Sequence, residues 1–307
     1  MSIVMTTVVA DGVETLDSHI AFHLNAGVDL VLVATLGSQD DVATILEPYA
    51  RNGRLRILHA RDGGESLMTD LARAAVTEHA ADWVIPSLPT EFWWPRGESL
   101  KDVLDVVPQR YSVVQALVRS FAGGGGEEFF ADRMTLRTSL LADARAHDES
   151  PQRQLRPVYR AEQDLVIHPD DWTLGGRRVP LRAWYPIEVF HFPMPASSIE
   201  EARLGERVAN GELVVDTRLR DALRELRDER SGGFGPPTAG EPRKIAFRVP
   251  TIVDDASYAV ECAAVGEVDL VRLDRHIREL ELRIAALEAR FWPSVRRALR
   301  RLARRPS

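Results

Sequence analysis

Asp29-Leu-Val-Leu-Val-Ala34 is an almost unbroken apolar run, the signature of a strand covered on both faces of its sheet. Just upstream, residues 14–26 place Leu16, Ile20 and Leu24 on one helical face, and Gly27 stands where a helix takes a left-handed cap. Before that helix, Ile3 to Val9 reads as a first strand. Downstream, Gly37-Ser38 turns the chain, and Asp40 is placed to cap a helix that runs to about Arg51 and stops at Gly53. Leu55-Arg-Ile-Leu58 is a third strand. Asp62-Gly-Gly64 leads into a helix carrying Leu67, Leu71 and Ala75, and Asp82-Trp-Val-Ile85 is a fourth strand. Four strands separated by three helices specify an α/β fold: a mostly parallel sheet with helices on both faces. Right-handed crossovers make it Rossmann-like, and ligands then sit at the carboxyl ends of the strands.

The chain has 307 residues, of which 45% are hydrophobic and 28% charged, the composition of an ordinary globular protein. No apolar run approaches the ~18 residues of a membrane span. Met1 to Ala10 carries no basic leader and is expected to be a strand rather than a signal peptide. Cys262 is the sole cysteine, so no internal disulfide forms and a cytoplasmic setting is expected. The net charge is −7, yet residues 293–307 contribute six arginines and no acid, leaving −13 on the remainder. An acidic body repels a phosphate backbone, which argues against a nucleic-acid partner.

Farther along, Tyr111 to Val118 and Trp184-Tyr-Pro-Ile-Glu-Val-Phe-His-Phe-Pro193 read as strands, and Gly123-Gly-Gly-Gly126 as a loop without phosphate-loop spacing. Residues 199–230 are expected to be a charged helical segment and 231–242 a Gly/Pro-rich linker. In 243–292, a coiled coil is expected from about 268, because Leu273, Ile277, Leu280, Ile284, Leu287 and Phe291 alternate steps of four and three. Two readings stand for this seam: homo- or hetero-association, or one helix packing on its own domain. Pro293 then opens a basic amphipathic tail, with Arg296 to Arg305 opposite Val295, Leu299 and Leu302. Its two readings are a peripheral contact with an anionic inner membrane face and a solvated terminus.

Several segments carry more. His19-Ile-Ala-Phe-His-Leu-Asn-Ala-Gly27 with the strand after it, Gly37-Ser38-Gln-Asp40, Leu71-Ala-Arg-Ala-Ala75, Ala81-Asp-Trp-Val-Ile85 and Glu91-Phe-Trp-Trp-Pro95 resemble, in order and spacing, family 2 glycosyltransferases of the GT-A fold. Phe129-Phe-Ala-Asp-Arg-Met134, Leu155-Arg-Pro157, Tyr159-Arg-Ala161 and Ile187-Glu-Val-Phe-His-Phe-Pro193 look like later landmarks of one bacterial branch. The resemblance covers residues 1–198 and implies a GT-A domain over that range. It also implies transfer of sugar from a nucleotide-sugar of UDP, GDP or dTDP type to a glycan or cell-envelope acceptor. In that family an Asp-X-Asp motif holds Mg²⁺ or Mn²⁺ against the donor diphosphate, where the cation neutralises the leaving group.

This chain departs from the family where the chemistry sits. The two metal-motif acids fall on Leu88 and Thr90, within Pro86-Ser-Leu-Pro-Thr90. An apolar side chain and a hydroxyl do not make a hard-cation site, so no cofactor is expected, and Mn²⁺ or Mg²⁺ would need other ligands. The base-reading acid falls on Thr35 or Leu36. Two function classes follow: a transferase without a conventional metal, or an inactive relative that serves assembly. For catalysis the candidates are Glu91, next to the altered motif, and Asp170 and Asp171, in the polar stretch that starts at His168. For the nucleotide-sugar they are Asp11, Glu14, Thr35, Asp40, Arg73, Ser87, Thr90 and His191, with Arg61, Arg73 and Arg96 as cations for the diphosphate. Each acid has a plainer alternative as a helix cap or turn residue. His191 reads more simply as a core histidine than as a metal ligand, and the i,i+4 pair His19 and His23 permits a metal by spacing but has neither an HExxH glutamate nor a third ligand in view. Trp93 and Trp94 are either a sugar platform or core.

Overall fold

The computed structural model describes residues 1–10, 14–36, 40–60, 67–123, 128–138, 155–162, 165–167, 180–181, 186–193, 204–227, 233–237, 245 and 247. The first half follows the expected alternation: β1 (Ile3–Val9), α1 (Leu16–Ala26), β2 (Leu30–Leu36), α2 (Asp40–Arg51), β3 (Leu55–Ala60), α3 (Leu67–Thr77) and β4 (Trp83–Pro86). Gly27 closes α1 at φ 109°, a left-handed value that favours glycine, and its N–H caps the carbonyl of His23. Strands β1, β2, β3 and β4 are mutually parallel in the order β3-β2-β1-β4. Alternate residues of each strand enter two cores. Met5, Val33 and Ile85 face the core that contains α1 and α2, whereas Val4, Leu32 and Val84 face the one that contains α3. The α/β class, with a parallel half covered on both faces, is therefore as expected.

The second half adds antiparallel strands and short helices: β5 (Glu91–Pro95), α4 (Leu100–Asp105), β6 (Val113–Ala122), α5 (Phe130–Arg133), β7 (Leu136–Thr138), β8 (Leu155–Arg160), β9 (Pro180–Leu181) and β10 (Ile187–His191). Strand β8 inserts antiparallel between β4 and β6, while β10 runs parallel to β6 and antiparallel to β5. The start of β5 and the start of β8 thus arrive at the same sheet edge as the ends of β1, β2, β4 and β10. That edge is where the strand direction places a ligand.

Within 199–230, the segment expected to be helical, the described residues form α6 (Leu204–Ala209) and α7 (Arg218–Leu226), with a short strand, β11 (Leu213–Val215), between them. Gly211, at φ 70°, turns the chain after α6, and Leu213 and Val214 are buried as β11 pairs with β7. Leu219, Ala222, Leu223 and Leu226 of α7 enter the same core as α1. So do Ile245 and Phe247, with Phe247 set edge-on to Phe22 and Trp94 at 5.7 and 5.0 Å. The body of the protein therefore continues past residue 198. The coiled-coil seam, the arginine tail and most of the Gly/Pro-rich stretch lie outside the described residues.

Candidate functional site

Three strand ends frame the edge. At the end of β2, Thr35 is 9% exposed, and its Oγ1 lies 3.1 Å from Nδ1 of His59, its register partner on β3. A short hydroxyl and an imidazole thus occupy the position where the resemblance implies an acid. After β1, Glu14 reaches Arg133 of α5 at 2.7 Å and ties the first strand–helix loop to the middle of the chain. Asp40, exposed, opens α2, where an acid favours the helix dipole.

The altered motif lies after β4. The turn is pinned along its length: Ser87 N–H donates to Thr6 O, Thr15 Oγ1 donates to Pro89 O, and Phe192 N–H donates to Thr90 O. Leu88 is 39% exposed, and Thr90 is half-buried. Glu91 closes the turn. Its carboxylate is fully buried; Oε2 accepts from the Leu88 N–H at 3.1 Å, and Oε1 accepts from Arg156 Nε at 2.7 Å. The resemblance implies a divalent cation here, and the residues do not fit one. Leu88 and Thr90 bring no carboxylate, and Glu91 is engaged by a guanidinium. No group of three or more His, Cys, Asp or Glu suited to a metal is found among the described residues.

Helix α1 holds this turn from beneath. The Trp93 N–H donates to Nε2 of His23 at 3.0 Å, so the proton of His23 sits on Nδ1, which lies 2.7 Å from the His19 carbonyl. His19 Nε2 lies 3.1 Å from Ser87 Oγ, which also accepts from the Trp93 indole N–H at 2.9 Å. Both imidazoles are fully buried. Burial pulls His19 down to about 3 and His23 well below the usual histidine value, so both are neutral. These histidines are core groups, and Ser87 belongs to their network. Trp93 and Trp94 are buried as well, Trp94 stacking on Phe190 at 5.5 Å, so neither offers an open sugar platform.

His191 stands opposite Glu91 across β10 and β5. Burial lowers its pKa, the Glu91 carboxylate opposes that fall, and Arg156 adds to it. The structure therefore gathers Ser87, Thr90, Glu91 and His191, together with Arg156. Arg156 is the residue that sequence reasoning missed as a site candidate, although Leu155-Arg-Pro157 was among the landmarks. Asp11, Arg61, Asp170 and Asp171 lie outside the described residues. Two suggested cations are not at the edge turn. Arg73 is exposed on α3. Arg96 follows the far end of β5 and pairs with Glu188 at 3.0 Å.

No protein-family profile matches the chain, and no curated relative matches it in sequence. Among solved structures, the chain is similar to a mannosyltransferase from Pyrobaculum calidifontis in complex with GDP-Man and Mn²⁺, at TM-score 0.30 and 14% identity over 38% of this chain. It is also similar to S. aureus TarS 1–349, at TM-score 0.35 and 14% identity over 73% of this chain and 70% of that one. A third is glucosyl-3-phosphoglycerate synthase from Mycobacterium tuberculosis in complex with phosphoglyceric acid, at TM-score 0.30 and 14% identity over 52% of this chain and 57% of that one. The chain spans 35% of the length of the mannosyltransferase. Overlaps this loose do not bear on activity or substrate, and the α/β assignment rests on the strand order itself.

Proposed function

We propose that this chain is a GT-A, family 2 glycosyltransferase-like protein that binds a nucleotide-sugar at the carboxyl-terminal strand edge and works without an Asp-X-Asp metal. The observation that carries this reading is the Glu91–Arg156 pair at the altered motif, where a resident guanidinium stands beside Leu88 and Thr90. A guanidinium is always charged and matches phosphate oxygens in a fixed fork. Arg156 thereby joins Arg61 as a candidate cation for the donor diphosphate, in place of Arg73 and Arg96. In the transfer, the bond from the anomeric carbon to the diphosphate breaks and one to an acceptor hydroxyl oxygen forms. The hydroxyl proton passes to a base, the role for which Asp170 and Asp171 are candidates. A glycan or cell-envelope acceptor follows from the family resemblance. The arginine tail adds the proposal of a peripheral contact with an anionic membrane face; among the described residues, no helix is long and apolar enough to cross one.

One observation favours a second reading, an inactive relative kept for assembly. Glu91, the one acid at the turn, spends its carboxylate on Arg156 and Leu88 and so holds structure rather than a reacting group. Titration calorimetry with UDP, GDP, CMP and dTDP, each with Mn²⁺ and with EDTA, separates the two. Binding of one nucleotide in EDTA, weakened at least tenfold by Arg156→Gln, supports the metal-free donor site. Binding that needs Mn²⁺ overturns that site, and no binding under any condition favours the assembly protein.

A further inference from the structure

Strand β3 closes one end of the sheet, and among the described residues nothing pairs with its outer side. The ladder with β2 fixes which groups face outward. Val31 stands opposite Leu55, and its N–H donates to the Arg54 carbonyl at 3.0 Å. In a parallel pair that phase turns the main-chain groups of Arg56, Leu58 and Ala60 toward β2. The N–H and C=O of Leu55, Ile57 and His59 then point away from the sheet. Among the described residues, their one contact is long, 3.5 Å from Arg56 Nη1 to the Leu55 carbonyl.

This edge lacks the devices that keep a free strand from pairing. Six consecutive residues hold register with β2, so no bulge interrupts it, and it contains neither proline nor lysine. The end strand on the opposite side, β11, is blunted to three residues. The two faces of β3 are also unequal. Leu55 and Ile57 meet the core that contains α2, whereas α3 packs on β1, β2 and β4. On that second face Arg56 is exposed, and Leu58 keeps 37% exposure beside the open edge.

We propose that β3 pairs antiparallel with β3 of a second copy of this chain, about a two-fold axis at Leu58 perpendicular to the sheet. The edge is its own complement in that register. Ile57 stands opposite His59 of the copy, and the two exchange a pair of main-chain hydrogen bonds, twice over by symmetry. Leu58 meets its own copy on the bare face, where the closer spacing of a non-hydrogen-bonded pair brings the side chains together. Arg56 falls opposite Ala60, so the two arginines are held four residues apart, ~13 Å along the strand. Helix α2 runs antiparallel to β3 on the other face, and the same axis sets it antiparallel to its copy. The start of one helix, Asp40 and Asp41, then lies toward the end of the other, Arg51, which extends the contact beyond the strands with opposite charge. One surface thus supplies both halves of the pairing, and two sheets run on as one.

The test uses the full chain and does not depend on the transferase reading. Light scattering after size exclusion at tens of micromolar is expected to give twice the 34.3 kDa chain mass. Leu58→Lys sets two ammonium groups on the axis at an already exposed position and is expected to weaken the dimer at least tenfold. His59→Pro removes only an outward donor and is expected to weaken it as well. Far-UV spectra and melting curves of both variants report that the body is intact. In a Cys262→Ser background, Leu58→Cys is expected to cross-link under mild oxidation, because this register sets its Cα about 4.5 Å from that of its copy. Arg56→Cys is expected to stay reduced. A monomer overturns the proposal. So does a dimer that survives Leu58→Lys, or one in which Leu58→Cys stays reduced.

Discussion

Glu91 and Arg156 form an ion pair across two strands that are not neighbours, Nε to Oε1 at 2.7 Å, with the carboxylate wholly out of solvent. Strand β5 meets the main sheet only through β10, so this pair is a direct tie between β5 and β8. Removing one partner of a buried pair leaves an uncompensated charge. Arg156→Met is expected to cost about 3–5 kcal/mol, discounted slightly because the guanidinium keeps 12% exposure. Glu91→Gln keeps an acceptor for the Leu88 N–H and should cost less. Urea unfolding at pH 7 ranks the two, and an Arg156→Met loss under about 1 kcal/mol would mean that the pair holds nothing.

The charge network around Glu188 should set the acid limit of stability. Arg96, Arg119 and Arg218 lie within 3.0, 3.3 and 2.9 Å of its carboxylate, and Arg218 passes on to Asp216 and Arg137. Burial alone would raise the Glu188 pKa; the three guanidinium groups overcome that and hold it well below the usual value. A carboxyl with a depressed folded pKa stabilises the fold above its unfolded pKa, about 4.3, and loses that contribution as pH falls through the folded value. Glu188→Gln should therefore destabilise at pH 7 and flatten the decline between pH 5 and 3. An acid limb of unchanged slope would count against the network.

His19 and His23 predict a second pH dependence, with the same sign but a higher window. Both are buried neutral, so the unfolded chain binds protons that the folded chain does not. Stability is then full above the unfolded histidine pKa of about 6.5 and falls as pH drops from there, toward about 3 for His19. Each such histidine adds a slope of about 1.4 kcal/mol per pH unit across that window. His23→Gln keeps an acceptor for the Trp93 N–H and should remove one histidine's share of the slope between pH 6 and 5. Equal slopes in wild type and variant would show that His23 titrates freely.

The parallel half of the fold was legible because its information is local. Apolar runs, a glycine at the left-handed cap and one-sided helices each lie within about a dozen residues. The second half was less so. Glu91-Phe-Trp-Trp-Pro95 reads as a motif flank, and only its pairing with β10 makes it a strand. Leu213–Val215 sits among charged residues that suggest helix, and β7 supplies the partner that overrides them. Thr90, Glu91 and His191 could be picked as candidates through the family landmarks, and the structure brings them to one turn. Arg156 could not, because its role depends on a residue 65 positions away. The histidine pair shows the converse. Spacing of i, i+4 admits a metal, and only burial and the Trp93 N–H reveal a core network.

If Leu88 and Thr90 mark a lost metal motif, carboxylates returned there should bind a cation again. The turn is already pinned by Thr15, Thr6 and Phe192, and Leu88 is partly exposed, so an acid at 88 needs little desolvation. Thr90 is half-buried, and a second acid beside Glu91 and Arg156 adds charge that a divalent ion would neutralise. Leu88→Asp/Thr90→Asp should therefore bind Mn²⁺ more tightly than the wild type, with each single substitution giving far less. Manganese titration followed by paramagnetic resonance measures this directly. A gain of tenfold in affinity, about 1.4 kcal/mol, would place the ancestral cation at this turn. Equal binding by wild type and the double variant would place any metal elsewhere, and a folded double variant with no gain would show that the turn no longer presents its side chains to one point.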